Sequence, residues 1–187
     1  LDKIKVDTVG PIFPGVTVKL SEDGEILVKG ENLMLGYWNN LEATDQTIKN
    51  GWLHTGDIGE FDTDGYLKIT DRKKDIIVSL GGDNIAPSKL ENLLTLSPDI
   101  EQACVFGEQK NFIAALIILA NDSKSTKDDI QNYINRINKD LTQPEKIKKF
   151  SFIDEHFTIE NNLMTPTMKV RRHEVKKKYS EVIDQLF

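Results

Sequence analysis

Cysteine is nearly absent from this chain: Cys104, in the apolar phrase ACVFG, is the only one in 187 residues. One thiol excludes an intrachain disulfide framework and a thiolate metal site, and it fits a reducing cytosol. Long apolar runs are missing as well. The longest, Phe112 to Ala120, falls well short of the roughly 20 residues a bilayer requires and reads as a buried strand. The opening residues have no signal-peptide layout. Histidine is scarce and scattered, at 54, 156 and 173, with no pair at helical spacing. Together with the absence of a G-x-S-x-G stretch, this leaves a metal centre or a Ser/His/Asp triad little support. No basic excess is present either: 24 Lys+Arg stand against 30 Asp+Glu, a net charge of −6, which argues against nucleic acid as a partner.

What is present is the composition of an ordinary globular protein, 39% hydrophobic and 29% charged. From Val16 to Thr70 the punctuation is that of short strands. VTVKL and EILVK flank SEDG, while IGEF and YLKIT flank DTDG, predicting two hairpins closed by Asp–Gly pairs. Between them a short helix is expected over Glu42 to Ile48, opened by Asn39 or Asn40 and stopped by Gly51. After Lys74 the elements alternate. A strand DIIVSL, a helix opened by Pro87, strands QACVFG and FIAALIILA, a helix over Lys127 to Leu141, a strand KKFSFI and a last helix from about His173 predict an α+β module. Ile130, Ile134, Ile137 and Leu141 have the spacing of one buried helical face, as do Val175, Tyr179, Val182 and Leu186.

Several short stretches carry chemistry. GWLHTGD, Gly51 to Asp57, has the glycine spacing of a phosphate loop but lacks the Lys and Ser/Thr that must follow. Asp57 would repel phosphate, whereas its two acceptor oxygens suit a vicinal diol such as ribose; from these residues alone an Asp capping a turn is the favoured reading. DTDG, Asp62 to Gly65, lacks the further ligands of a calcium loop and reads as a hairpin turn. In SLGGDN the glycines serve either a plain turn or a ligand passing close to the main chain. The basic run KVRRHEVKKKYSEV reads as the solvated side of an amphipathic helix. Lys169 is the exception, because it precedes that helix in the Thr/Pro loop LMTPTMK.

In their order, GEILVKGENLMLGYWNNLEAT, GWLHTGDIGEFDTDGYLKITDRKKDIIVSLGGDNIAPSKLE and LMTPTMKVRR make nearly the whole chain resemble the C-terminal part of adenylate-forming (AMP-binding) acyl-CoA synthetases, most closely bacterial long-chain fatty acid–CoA ligases. The resemblance implies a two-step reaction. A fatty acid and ATP give acyl-AMP and pyrophosphate, and coenzyme A then displaces AMP. It implies that Asp57 accepts the ribose hydroxyls, that Arg72 holds the ribose or the adjacent phosphate, and that Lys74 is a hinge. It further implies that Gly81 and Gly82 line the CoA path and that Lys169 is the catalytic lysine of adenylation. Lys73, between these roles, is expected to be solvated, and no metal ligand is expected in this chain. Mg2+ would come mainly with ATP and with residues upstream of Leu1. Residues 1–71 are then expected to be the last β-subdomain of a large adenylation domain and 72–187 the mobile domain, inactive without the rest. The other partners implied are cytoplasmic substrates, with any membrane contact peripheral. The chain departs from the family where TMK replaces a commoner SGK and where Asp83 stands in place of a basic CoA contact. A fatty acyl-AMP ligase or a carrier-protein-loading adenylation domain shares the resemblance; a free-standing membrane- or RNA-binding module is opposed by the −6 charge.

Overall fold

Two Asp–Gly turns organise the first sheet. The computed structural model describes residues 4–187, and in it Gly24 and Gly65 adopt φ near +80°, the left-handed conformation that closes a tight turn without a Cβ clash. The first turn joins β1 (Val16–Leu20) to β2 (Glu25–Gly30), and the second joins β4 (Trp52–Phe61) to β5 (Leu67–Arg72). Both predicted hairpins are therefore present. β2 pairs with β4 antiparallel, so the strands run β1-β2-β4 with β5 also on β4.

The short helix α1 spans Leu41–Thr47, and the Asn40 side chain accepts from the Ala43 N–H at its start. Its end differs from expectation. Ile48 leaves the helix and, with Lys49, forms β3 against β4, while Asn50 and Gly51, both at positive φ, make the connecting turn. Gly51 is thus a hairpin residue rather than a helix stop. An Asn–Gly pair is itself a strong hairpin signal, and here it prevails over the helical reading of the residues before it.

The chain divides into two compact units between Lys74 and Asp75, and a single 3-10 turn, Lys73–Asp75, covers that division. In the C-terminal unit the expected strand DIIVSL shrinks to β6 (Ile77–Val78), paired with β7 (Asn84–Ile85). Helix α2 (Pro87–Thr95) follows with Pro87 in its first turn, where a missing N–H removes no helical bond. Then come β8 (Ile100–Phe106), β9 (Ile113–Leu119), α3 (Lys127–Ile137) and β10 (Ile147–Phe152). β9 is central, antiparallel to β8 and parallel to β10.

The apolar run of β9 has a physical reason: both faces of the sheet are covered. Ile113, Ala115 and Ile117 join Leu90, Leu94, Ile130 and Ile134 in one core. Leu116 and Ile118 join Phe157, Leu163, Val175 and Ile183 in the other. Helix α3 ends earlier than Leu141 because the Asn138 side chain pairs with both backbone groups of Ile147, yet Leu141 still tucks into the core from the following turn. The last helix is two pieces, α4 (Arg172–Lys178) and α5 (Ser180–Asp184). Tyr179 leaves helical backbone between them, and its hydroxyl donates to Glu155. Of the predicted stripe Val175 is buried and Tyr179, Val182 and Leu186 are partly buried against the same core, while Ile183, outside that stripe, is buried there. No helix among the described residues is long and apolar enough to cross a membrane.

Candidate functional site

β4 carries a bulge at the residues that stood out in the sequence. Between Leu27 and Glu25 β2 advances two residues, while β4 advances four, from His54 to Ile58. Thr55, Gly56 and Asp57 take up the excess, and Gly56 sits at φ +71° to permit it. Bulges of this kind re-aim a side chain. Side chains hold the bulge: Thr55 Oγ1 donates to Ile26 O (2.8 Å) and accepts from Asp57 N (3.1 Å), and the Gly56 N–H donates to Glu25 Oε1 (3.0 Å). On its other side Asp57 lies opposite Arg72 in the β4/β5 ladder, and Arg72 Nε reaches Asp57 Oδ1 at 2.9 Å. The structure thus brings Asp57 and Arg72 together as a partly exposed ion pair. It can present carboxylate acceptors and a guanidinium side by side, the two requirements of a ribose phosphate.

Glu25 is the residue that sequence reasoning missed. It is 4% exposed, a buried carboxylate at the start of β2. Besides Gly56, it accepts from His54 Nδ1 (3.1 Å) and Lys73 Nζ (3.0 Å). Burial alone would raise its carboxyl, but the bonds from His54, Lys73 and Gly56 together outweigh burial and hold it below the usual range. Lys73 also pairs with Asp23 at 2.6 Å, and these two partners raise its ammonium above the ordinary value. One expectation is corrected here: Lys73 is ion-paired rather than merely solvated. His54 is a strand residue turned on a buried acid. The available signal was Gly56, since a glycine inside a strand pattern points to a bulge. Nothing local marked Glu25, because a charged residue at a strand start ordinarily faces water.

Lys74 lies in the 3-10 turn, exposed, with no side-chain ion pair among the described residues. Gly81 and Gly82 lie at the tip of the β6/β7 hairpin, both exposed. Ser79 closes that tip: its hydroxyl donates to Asp83 Oδ2 (2.8 Å), and its carbonyl accepts from Gly82 N (3.0 Å). Asp83 is therefore turned back into the loop. A Cβ on Gly81 would lie 3.1 Å from that carboxylate, so a larger residue there would require the Asp83 side chain to shift by a few tenths of an ångström.

Lys169 stands on a tight turn bounded by a bridge between Met164 and Val170. Thr165 N donates to Lys169 O (2.8 Å), and Lys169 N donates to Thr165 Oγ1 (3.1 Å). The backbone is held while the ammonium is exposed. Met168 has φ near +61°, which explains why a glycine would suit this position and why TMK carries a small strain. Three residues on, Arg172 donates to Val105 O and pairs with Glu91, whose Oε1 also accepts from Val105 N. This partly buried pair ties the start of α4 to β8 and α2. The Lys169 turn and the Gly81–Gly82 tip are separate elements of the C-terminal unit.

Residues 74–187 match the family model of the AMP-binding enzyme C-terminal domain. The chain is 37% identical over 206 aligned positions to the long-chain-fatty-acid–CoA ligase FadD15 of Mycobacterium tuberculosis, covering 98% of this chain and 34% of that protein. It is 32% identical to fatty acyl-CoA synthetase B of Dictyostelium discoideum, covering all of this chain and 33% of that protein. Among solved structures, O-succinylbenzoate coenzyme A synthetase (MenE) from Bacillus subtilis, in complex with AMP, superposes with a TM-score of 0.73 at 28% identity, covering 92% of this chain and 36% of that one. The chain spans about a third of the length of the curated relatives it matches.

Proposed function

Because this chain belongs to the AMP-binding enzyme C-terminal domain family, we propose that it is the C-terminal portion of a long-chain fatty acid–CoA ligase that needs the rest of the enzyme to turn over. The observation that carries this reading is the near end-to-end similarity to a ligase of that name. The chemistry is two displacements. A fatty-acid carboxylate oxygen attacks the α-phosphorus of ATP and pyrophosphate leaves; the thiolate of coenzyme A then attacks the acyl carbon and AMP leaves.

Each group has a task that its geometry suits. Asp57, with one oxygen on Arg72, offers its second oxygen to the ribose hydroxyls, and Arg72 lies beside it for the ribose or phosphate. Lys169 supplies an ammonium to the α-phosphate and carboxylate as charge gathers there. Lys74 is the pivot by which the C-terminal unit exchanges the Lys169 turn for the Gly81–Gly82 tip, whose small residues admit a pantetheine chain close to the backbone. Mg2+ would enter with ATP; among the described residues no group of three His, Cys, Asp or Glu is arranged to hold a metal ion. The N-terminal unit belongs, in this reading, to the large domain that holds the acyl chain. Its exposed Phe13, Leu35, Trp38 and Leu41 are apolar surface for that domain to cover. We place the enzyme in the cytoplasm, where Cys104 stays reduced, with any membrane contact peripheral.

The test separates the two half-reactions in the complete enzyme. Lys169→Ala is expected to slow pyrophosphate release from fatty acid and ATP by about 10²–10³-fold. Conversion of supplied acyl-AMP and coenzyme A to thioester should be nearly retained. Equal loss of both halves overturns the role given to Lys169.

A further inference from the structure

Lys73 and its partners connect two parts of the molecule that the reaction uses for different purposes. One is the bulge that presents Asp57. The other is the turn at which the chain passes from the N-terminal to the C-terminal unit. Both meet at one buried carboxylate. Glu25 holds the Gly56 N–H with Oε1 and Lys73 Nζ with Oε2, and Asp23, on the turn before β2, holds the same ammonium at 2.6 Å.

We propose that Lys73 is a clasp, anchored on Asp23 and Glu25, that fixes the end of the N-terminal unit so that the chain pivots at Lys74 and no earlier, and that Glu25 is a positioning residue for Asp57. The inference rests on the nucleotide and pivot roles given above to Asp57 and Lys74.

Asp71 and Arg72 are the last residues paired in the β5 ladder, and the Arg72 side chain is drawn to Asp57. Beyond them no strand partner remains, and without a further tie the swivel would include the 3-10 turn from its first residue. Lys73 supplies that tie through a side chain rather than a backbone ladder. A half-exposed ion pair alone contributes little. This one ends on a carboxylate that is almost wholly buried, and removing its cation leaves a charge in the interior with fewer partners, a costlier loss than that of a surface pair. Lys74 then follows with an exposed side chain. The change from an anchored to an unanchored residue falls between two adjacent lysines that look alike in the sequence.

The same carboxylate sets Asp57. Gly56 is held at positive φ within the bulge, and its N–H is satisfied by Glu25. Without that acceptor the peptide before Asp57 loses the bond that orients it, and the carboxylate beyond it loses its aim.

Hydrogen exchange and nucleotide affinity test the two claims separately in the complete enzyme. In Lys73→Met, amides of residues 72–75 are expected to exchange about tenfold faster, while those of β8 and β9 keep their native rates, because the ammonium held by Asp23 and Glu25 is gone. Glu25→Ala, which also removes the acceptor for Gly56, is expected to weaken AMP binding about tenfold, the loss typical of one charge-assisted hydrogen bond. Glu25→Gln keeps an acceptor oxygen and is expected to recover most of that affinity. Native exchange at 72–75 in Lys73→Met overturns the clasp. Native AMP affinity in Glu25→Ala, or an equal loss in the Gln variant, overturns the positioning role. If Asp57→Asn itself leaves AMP affinity unchanged, the ribose assignment fails, while the exchange result still judges the clasp.

Discussion

Glu25 shows how a residue acquires meaning from what folds over it. In the sequence it is one of 30 acids, at the end of an Asp–Gly turn. In the fold it is buried and accepts from three groups, so its carboxyl is held below the unfolded value of about 4.5. The native state then binds fewer protons than the unfolded one through that range. The stability Glu25 contributes is complete above about pH 4.5 and is lost as pH falls through its folded value. Asp23, drawn down to about 2 chiefly by its bond from Lys73, continues the same loss on the acid side. The urea midpoint followed by tryptophan fluorescence should therefore fall as pH drops below about 4.5 toward about 2, and Glu25→Gln should flatten that fall from a lower starting stability. An unchanged slope in the variant would remove Glu25 from the cause. Asp57, by contrast, drew notice through the glycine spacing of GWLHTGD, although those residues alone favoured an Asp capping a turn and only the family resemblance gave it a ribose role.

At the scale of elements, periodicity located most of the secondary structure and side-chain bonding decided where it stops. Helix α3 was legible from Ile130, Ile134 and Ile137, yet its ends are set by Thr126 and Asn138. Thr126 accepts from Asp129 N while Asp129 accepts from Thr126 N, a reciprocal cap built with Asp where Glu or Gln is commoner. Thr126→Ala is expected to destabilise the C-terminal unit by about 1 kcal/mol and Thr126→Ser to be nearly neutral, measured by chemical denaturation. An Ala variant as stable as Ser would mean the cap contributes nothing. The strand DIIVSL misled for the opposite reason. Its apolar residues are real core, with Ile77 buried, but only two residues find a ladder partner before Ser79 and Asp83 close the hairpin.

For the molecule as a whole, the two units differ in how much they bury. In the N-terminal unit only Ile26, Leu27 and Leu67 are buried apolar residues among those described, whereas the C-terminal unit packs both faces of its sheet. Burial scales with stability, so this chain by itself should lose the N-terminal unit first. Nature has supplied separate reporters. Both tryptophans, Trp38 and Trp52, lie in the N-terminal unit, and Cys104 is fully buried in the C-terminal one, where burial and the neighbouring Glu91 push its thiol well up. Tryptophan fluorescence is expected to change at lower urea than Cys104 becomes open to alkylation. Coincident midpoints would show one cooperative unit and overturn this.

The sequence by itself pointed to the family, the hairpins and the burial of β9, and it singled out Asp57, Arg72, Lys74, Gly81, Gly82 and Lys169 as candidates. Those features are local: turn chemistry, hydrophobic period and short ordered motifs are written in neighbouring residues. Only the tertiary structure decided that Lys73 is tied and Lys74 is not, that His54 serves a buried acid, and that Glu25 joins the bulge to the boundary. Those facts depend on residues up to 48 positions apart being brought within hydrogen-bond reach, and no local pattern in a chain encodes which distant charge will be buried beside which.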